Sequence, residues 1–378
     1  MTDLPTFLRN LILFWLVLYA IGILLGRKRV KRFKVGFFYL EISTDPKLLS
    51  KPIGLISRLI GPLYKLSIVL TVVLSIISSI YLVKITIDSL FGPKVAQIVP
   101  VIPGVTLDIT VPSLLSIFIV LLTHEVFGHA VMSYRFEVPV KKIAFFVLFF
   151  LLGAFVEPDE GSLRKLNRSK RMGIYSAGIF SNFMTFLVFL MITILIFPGF
   201  SLDLSSARPS GVYVERVFEG GPSEGLIPEG VVIRAVGGYS VRDPSSLSEA
   251  LRKFKPGDEV YIITDKGSFK VRLGSRPDDP KLPYLGVQLS PIPYFDPSVP
   301  MPAGLSIQLL ELFLLTMIFS IGLAAINSLP ILPLDGGLVL SEILSFYMDD
   351  KLARKLTWTI SAPFALILIY NALLFFLG

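Results

Sequence analysis

Residues 111–132, VPSLLSIFIVLLTHEVFGHAVM, are apolar over a length of about 20 residues, which is enough to cross a bilayer. The same stretch contains the only 2 histidines of the chain, His124 and His129, and Glu125 follows the first of them. Ionisable residues at membrane depth are costly and usually mark a functional site. The stretch therefore predicts a membrane protein with a functional site inside one of its spans.

The composition of the whole chain agrees with a membrane protein. Of the 378 residues, 53% are hydrophobic and only 17% are charged, a combination outside the range of soluble domains. The formal net charge is +8, but Lys and Arg cluster beside apolar segments, which favours membrane topology and predicts no nucleic-acid partner. Because the chain has no cysteine, it can form neither a disulfide nor a thiolate metal site.

Six apolar stretches are long enough to span a bilayer. They are residues 8–25, 66–83, 111–132, 172–197, 305–329 and 356–377. The first is followed by a run of basic residues that begins at Arg27, whereas a cleavable signal peptide carries such residues before its apolar part. We therefore predict that the first stretch is a retained membrane anchor.

Lys and Arg are unequally distributed between the segments that join these stretches. Residues 27–65, 135–171 and 351–355 hold 10, 8 and 3 of them, whereas the short segments on the other side hold only Arg9, Lys84 and Lys94. Because basic loops stay cytoplasmic, the histidine cluster is predicted in the cytoplasmic half of its span. Both termini and the long insert 201–304 are predicted to face away from the cytoplasm, in a multi-pass protein of the cell membrane.

Residues 205–292 have the character of a soluble domain between two membrane parts, 1–204 and 293–378. Strand-like runs at 211–217, 231–236, 260–264 and 268–273 alternate with glycine and proline turns, and 245–254 predict a helix. This order resembles a PDZ domain, and 285–287 resemble its carboxylate-binding loop in a permuted strand order. A generic small β-rich domain is the alternative. PDZ grooves bind peptides by adding a strand, so a peptide tail is a predicted partner.

Residues 143–156 are almost wholly apolar, but 14 residues are too few for a regular membrane span. We predict a re-entrant segment that dips into the membrane and returns, with an interfacial helix as the alternative. Backbone of this kind requires protein or water to satisfy its polar groups. A hairpin with a free edge would offer main-chain partners to an extended substrate.

The sequence HEVFGH, residues 124–129, resembles the HExxH zinc-peptidase signature but has one additional residue between its histidines. At about 100° per residue, positions five apart differ by about 140° around an α-helix, so a regular helix would point the two rings apart. A π-type turn brings such positions nearly into line. We predict this widening around Val126 to Gly128, and a helix that ends near Phe127 is the alternative.

Two histidines leave a catalytic zinc ion without its third protein ligand. Asp335 is the best candidate, in the sequence NSLPILPLDGG at residues 327–337. The prolines of this sequence interrupt helical hydrogen bonding and its glycines allow a tight turn. A simple interfacial turn is the alternative, but aspartate is normally excluded from such apolar surroundings, which favours a ligand.

Together, HE...GH and NSLPILPLDGG resemble the site-2 protease family, the intramembrane zinc metalloproteases of peptidase family M50, in its archaeal or bacterial type with a PDZ insert. The segment GAFVEPDE at 153–160, and Gly178 and Asn182 in the fourth stretch, are also similar to that family. The resemblance implies a polytopic α-helical membrane protein of about six transmembrane helices with a re-entrant segment and an inserted α/β PDZ-like extracytoplasmic domain. It further implies that one zinc ion is bound by three ligands, His124, His129 and Asp335.

The resemblance implies an endopeptidase that cleaves transmembrane segments of membrane-anchored proteins, a reaction known as regulated intramembrane proteolysis. Glu125 would activate a zinc-bound water, and Asn327 would position the substrate. For Glu157 and Asp159 a solvated turn is favoured over a catalytic role. The alternatives are a non-catalytic membrane adaptor that binds protein tails through the PDZ-like domain, an ion transporter, and an unrelated membrane HExxH peptidase.

Overall fold

Apolar helices and two large β-sheets make up the structure. This is a computed structural model that describes residues 4–24, 33–36, 38–46, 50–92, 96–149, 151–203 and 205–377. The helices are α1 (Leu4–Leu24), α2 (Ser50–Ile60), α3 (Tyr64–Phe91), α4 (Val111–Leu122), α5 (Val131–Arg135), α6 (Glu160–Lys165), α7 (Arg168–Ile196), α8 (Pro244–Leu251), α9 (Ala303–Ser328), α10 (Asp335–Leu344) and α11 (Asp350–Leu377).

The strands fall into two groups, one before α6 and one between α7 and α9. The first group is β1 (Phe33–Gly36), β2 (Tyr39–Thr44), β3 (Val140–Leu148) and β4 (Leu151–Pro158). The second is β5 (Val212–Val217), β6 (Val232–Val236), β7 (Tyr239–Ser240), β8 (Glu259–Thr264), β9 (Gly267–Arg272), β10 (Gly274–Ser275), β11 (Pro283–Tyr284) and β12 (Val287–Leu289).

Five helical segments in the described part of the chain are long and apolar enough to cross a membrane. They are Ile53–Phe91, Val111–Arg135, Arg168–Ile196, Ala303–Ser328 and Asp350–Phe376. These five segments contain the last five predicted spans, except for the final residue of three of them. The first predicted span forms α1, in which the apolar part Leu11–Ala20 is shorter than the other five. The predicted number of six spans is therefore not confirmed.

The chain forms two compact units. The first consists of Met1–Leu187 and Leu315–Gly378, and the second is Val188–Leu314. The first unit contains the histidines, Asp335 and the first group of strands. The second contains the predicted inserted domain together with the adjoining ends of α7 and α9.

The sheet of the first unit has the antiparallel order β1-β2-β3-β4. Its outer hairpin, β3 and β4, covers the predicted re-entrant residues 143–156, so this segment is a β-hairpin and the interfacial-helix alternative is wrong. Phe149 at the hairpin tip adopts a φ of 58°. Among the described strands, β4 pairs only with β3 and so lies at an edge of the sheet.

A buried carboxylate joins three strands of this sheet. Glu41 on β2 is only 3% exposed and accepts a hydrogen bond from the Tyr39 hydroxyl at 2.7 Å. The Lys142 ammonium, on β3, forms an ion pair with the same carboxylate and lies 4.9 Å from the ring centroid of Phe155 on β4. Burial raises the pKa of Glu41, but hydrogen bonds from Lys142 and Tyr39 outweigh it, so the pKa lies below its usual range.

The second unit has a sheet in the order β12-β5-β6-β8-β9, with β7 paired to β6. Strand β8 alternates strictly between exposed and buried residues, as expected for a sheet with one buried face. Helix α8 begins with Asp243 as its N-cap, whose side chain accepts a hydrogen bond from Ser246 N at 2.8 Å, and Pro244 follows at the first helical position. The four predicted strand runs are confirmed as β5, β6, β8 and β9, and the predicted helix as α8.

Candidate metal centre

The segment between α4 and α5, Thr123–Ala130, is π-helical. The predicted widening is therefore confirmed, and the alternative of a helix that ends near Phe127 is wrong because helical structure continues through α5. The π turn places the imidazoles of His124 and His129 on the same side, with their Nε2 atoms 3.4 Å apart. The π turn has a longer repeat than an α-helix. It therefore accommodates the extra residue of HEVFGH and keeps the two rings together.

Two glycines allow α7 to pass close to this π segment. A Cβ atom on Gly128 would lie 2.7 Å from the Cα of Gly178, and one on Gly178 would lie 2.6 Å from His129 Nε2 and 2.7 Å from His124 Nε2. All three distances are shorter than real Cβ contacts. The two residues are therefore glycines for reasons of packing, since a side chain on either would separate α7 from the histidines.

Asp335 is the first residue of α10, and its Oδ2 atom lies 3.3 Å from the Nε2 atoms of both histidines. It is buried, with 9% of its surface exposed. A Cβ atom on the neighbouring Gly336 would collide with the carbonyl oxygen of Ser328. The glycine after the aspartate thus allows the start of α10 to fold back tightly against the end of α9.

The loop that leads to Asp335 is held by a hydroxyl from another helix. Ser361 of α11 accepts a hydrogen bond from Leu332 N at 2.9 Å, and its Oγ atom is 3.0 Å from the carbonyl oxygen of Pro330. Ser361 is 2% exposed, so these backbone groups have no access to water. A buried backbone group without a partner is costly, and Ser361 therefore stabilises the broken helix before Asp335.

The three predicted ligands form a nearly equilateral triangle of donor atoms, with sides of 3.3, 3.3 and 3.4 Å. Zinc binds such atoms at about 2.0–2.2 Å, and tetrahedral geometry then separates any two ligands by about 3.3–3.6 Å. Asp335 Oδ2 is buried and makes no hydrogen bond within the described residues. A buried carboxylate oxygen in that situation needs a cation. The donor set and its spacing therefore fit a zinc ion.

Residues of α7 contact the Nδ1 atoms of both imidazoles. His129 Nδ1 lies 2.9 Å from the carbonyl oxygen of Ile174, which requires a proton on Nδ1 and leaves the Nε2 lone pair free. His124 Nδ1 lies 3.1 Å from Nδ2 of Asn182, whose Oδ1 accepts a hydrogen bond from the Thr123 hydroxyl at 3.0 Å. A 180° rotation of this amide places its oxygen against Nδ1, so that Nδ1–H donates and the Nε2 lone pair is free for a metal. Contacts of this kind orient histidines for metal binding.

Glu125 connects the histidine cluster to the β-hairpin. Its Oε2 atom accepts a hydrogen bond from the backbone N–H of Val156 on β4 at 2.9 Å. His124, Glu125 and His129 each provide one possible ligand atom, and these atoms all lie within 4.8 Å of one another. A carboxylate that is this close to the donor triangle can accept a proton from a reactant held there.

The structure brings together His124, Glu125, His129 and Asp335, but it does not place Asn327 in hydrogen-bond contact with any of them. Asn327 is half-buried in the last turn of α9. Asp159 is the N-cap of α6 and forms an ion pair of 2.9 Å with Lys141, which lowers its pKa to about 2. These contacts tie the start of α6 to β3.

Sequence reasoning missed the contributions of Ser361, Ile174 and the Val156 N–H. The last two act through backbone atoms, which carry no signal in the residue type. Ser361 is one of many hydroxyls on apolar helices, so its position could be recognised only after the fold was known.

A known protein family and solved structures match parts of this chain. The model of Peptidase family M50 matches residues 112–370, which include the π segment and Asp335. Among solved structures, the PDZ domain of an SdrC-like protein from Listeria monocytogenes is 22% identical, with 21% of this chain and 87% of that domain covered and a TM-score of 0.20. That score carries no argument about the inserted domain. A search of curated proteins found no match. Because the family match covers more than half of the sequence, the chain belongs to peptidase family M50, a family of intramembrane metalloproteases.

Proposed function

We propose that this chain is a zinc-dependent endopeptidase that cleaves transmembrane segments of membrane-anchored proteins. His124, His129 and Asp335 would bind one zinc ion, and Glu125 would serve as the general base. The observation that carries this proposal is the triangle of donor atoms with sides of 3.3–3.4 Å beside the Glu125 carboxylate, with both histidines and Glu125 in a helix long enough to span a membrane. Such a cluster at membrane depth favours hydrolysis within the bilayer.

A bound zinc ion would supply Lewis acidity, which polarises the scissile carbonyl and makes water acidic near neutral pH. Glu125 would accept the proton of the attacking water and then pass it to the leaving amine. The hydrogen bond from Val156 N to its Oε2 fixes this carboxylate against β4. Ile174 and Asn182 would keep the two imidazoles oriented throughout this proton transfer.

The free edge of β4 is the proposed binding surface for the substrate. Because Val156 directs its N–H away from β3 and towards Glu125, Ala154 and Leu152 must direct their backbone groups to the same side. Ala154 is two residues, or about 7 Å, along the strand from Val156. An unwound substrate segment could therefore add as a strand beside β4 with its scissile bond near Glu125. Asn327 is proposed to help position this segment.

The groove between α8 and β12 is the proposed peptide site of the second unit. It has a volume of about 320 Å³, and its lining includes Leu251 of α8 and Leu289 of β12. Strand β12 lies at an edge of its sheet, so its outer backbone groups can pair with a peptide tail. We propose that residues 205–292 form a PDZ-like domain that lies outside the cytoplasm. Both termini would lie on the same side, and the metal centre would lie towards the cytoplasmic side.

The same groove favours the second candidate, a non-catalytic membrane adaptor. An adaptor would require the groove but not the donor triangle or Glu125. The complete set of ligands, the oriented imidazoles and the adjacent carboxylate therefore favour the peptidase.

Cleavage of a model transmembrane substrate tests the proposal. Purified wild type, Glu125→Gln and the control Glu160→Gln, which alters an exposed carboxylate on α6, would be reconstituted in vesicles and assayed for cleavage and zinc content. We expect Glu125→Gln to keep zinc and lose about 10²–10⁴-fold in rate, the usual contribution of a general base, while the control cleaves normally. Equal rates in all three proteins would refute the role of Glu125. Peptide binding without cleavage by the zinc-loaded wild type would support the adaptor.

A further inference from the structure

A polar pocket lies where α2 meets α5 in the first unit. Its volume is about 480 Å³, and its lining comprises Gly54, Ser57 and Arg58 of α2, Tyr134 and Arg135 of α5, and Glu137, Val138 and Pro139 of the following segment. It is separate from the metal centre and shares no residue with it. None of the roles assigned above accounts for this pocket.

Two glycines, one in α2 and one just after it, shape this pocket. A Cβ atom on Gly61, just after α2, would lie 2.6 Å from Cδ of Arg135, and one on Gly54 would lie 3.1 Å from the Tyr134 hydroxyl. The Arg135 side chain therefore runs directly over the backbone of Gly61. The close approach packs the stem of this arginine against Gly61 at the pocket wall.

Both helices that form the pocket belong to segments long enough to span a membrane. The apolar segment Ile53–Phe91 has 39 residues, about 58 Å of helix against a hydrocarbon thickness of about 30 Å, so one end must extend beyond the hydrocarbon. A short 3-10 turn at Gly61–Leu63 separates that end, α2, from α3. The span Val111–Arg135 ends at the pocket. Tyr134 beside it is of the type enriched at membrane–water interfaces.

Helix α2 also carries leucines suited to a lipid environment. Leu55 and Leu59, one turn apart on the helix, are 72% and 78% exposed, whereas Ile53 and Ser57 are buried. An amphipathic helix with exposed leucines next to a span lies along the membrane surface, with those side chains among the acyl chains. The pocket is thus at the depth of lipid headgroups.

The charges of the pocket favour an anion. Arg58 and Arg135 are both exposed, and within the described residues no carboxylate lies at ion-pair distance from either guanidinium. Glu137 is the one acidic residue in the lining and partly offsets them. A guanidinium donates in a planar fork that matches phosphate oxygens, and the Tyr134 hydroxyl adds a further donor.

We propose that this pocket binds the phosphate group of an anionic phospholipid. The guanidinium groups of Arg58 and Arg135 hold the phosphate, while the acyl chains lie along Leu55 and Leu59. A soluble phosphate compound would offer the same charge but would not use the leucines. The position of the pocket beside exposed leucines and at the ends of two membrane segments is what favours the lipid.

Lipid titration of the full chain in a neutral detergent, followed by native mass spectrometry, tests this proposal. The probes are phosphatidylglycerol, phosphatidylcholine and glycerol phosphate. The variants are Arg58→Gln, Arg135→Gln and Glu137→Gln, and Arg354→Gln is the matched control because this exposed arginine of α11 lies outside the pocket. Glutamine at position 135 keeps part of the side-chain stem that packs on Gly61.

We expect phosphatidylglycerol to bind in preference to phosphatidylcholine. Each pocket arginine variant should weaken it about 5-fold, since a basic residue near anionic lipid contributes on the order of 1 kcal/mol, and Arg354→Gln should not. Glu137→Gln should strengthen binding, an effect that general destabilisation cannot produce. Equal affinity in wild type and both arginine variants would overturn the proposal. Binding of glycerol phosphate as tight as that of phosphatidylglycerol would also overturn it, in favour of a soluble ligand.

Discussion

Substitution of Gly178 by alanine is a sharp test of how the metal centre is assembled. The added Cβ would lie 2.6 Å from His129 Nε2 and 2.7 Å from His124 Nε2, the two atoms proposed to bind zinc. Ordinary van der Waals contact begins at 3.4 Å, so the rings or α7 must move by about 0.8 Å. Neither ring can retreat freely, because Ile174 and Asn182 hold the opposite nitrogens.

A shift of this size exceeds what a zinc site tolerates, since ligand distances in such sites hold to within about 0.2 Å. We expect Gly178→Ala to weaken zinc binding by about 100-fold, the upper end of effects seen when the residues that orient metal ligands are changed. Overpacking should also lower the free energy of unfolding by about 1–3 kcal/mol. Zinc affinity should therefore respond more strongly than overall stability.

Competition with a fluorescent zinc chelator measures the affinity, and thermal unfolding of the apo protein measures the stability. Gly322→Ala is the matched control, because a Cβ at this glycine of α9 would meet no atom within 4 Å. The control should bind zinc as wild type does. Wild-type zinc affinity in a folded Gly178→Ala protein would refute the close approach of α7 to the ligands.

Three further predictions concern residues that support the site or the sheet beside it. Ser361→Ala leaves the buried N–H of Leu332 without a partner, so thermal or denaturant unfolding should show a loss of about 1–3 kcal/mol in the free energy of unfolding. A wild-type unfolding profile would contradict this role. The guanidinium of Arg171 forms two hydrogen bonds of 2.7 Å with Glu342 and joins α7 to α10. Arg171→Ala should lower the free energy of unfolding by about 3–5 kcal/mol, and the double variant Arg171→Glu with Glu342→Arg should recover part of this loss. No recovery in the exchanged pair would argue against a direct ion pair. The pKa of Asp159 is about 2, below its ordinary value, because of Lys141 and the cap of α6, so the charged form stabilises the fold. The stability deficit of Asp159→Asn should be complete above about pH 4 and shrink as the pH falls towards 2, and a deficit independent of pH would contradict it.

The sequence was sufficient to predict the local geometry of the histidine cluster. The five-residue spacing of His124 and His129 conflicts with an α-helical repeat, and a widened turn was preferred over a helix that ends near Phe127. What the spacing could not predict is the contact with Gly178. That contact depends on how α7 crosses the π segment, which is a property of tertiary packing.

The four-stranded sheet was only half anticipated. Residues 143–156 were recognised as a possible hairpin because they are too short for a span, but β1 and β2 were missed. A buried Glu41 in the middle of β2 departs from the usual pattern of a strand with an apolar inner face. Its partner Lys142 lies 101 residues later in the sequence, and no local pattern connects the two.

The third ligand was predicted from composition and motif, because Asp335 follows a proline-broken helix where aspartate is otherwise disfavoured. Its placement depends on Ser361, a residue of another helix with no distinguishing sequence signal. The positions of four strands in the second unit were predictable from its turns. The count of membrane spans was not, since length and hydropathy alone do not separate a span from an apolar helix such as α1.

Zinc K-edge X-ray absorption of the purified chain, together with its zinc content, tests the central claim most directly. The account predicts one zinc ion per chain, bound by two imidazole nitrogens and carboxylate oxygen at about 2.0–2.2 Å. Asp335→Ala should lower the zinc content and remove the carboxylate contribution. A zinc ion without imidazole ligands, or full zinc content in a protein that lacks both His124 and Asp335, would contradict the proposed centre.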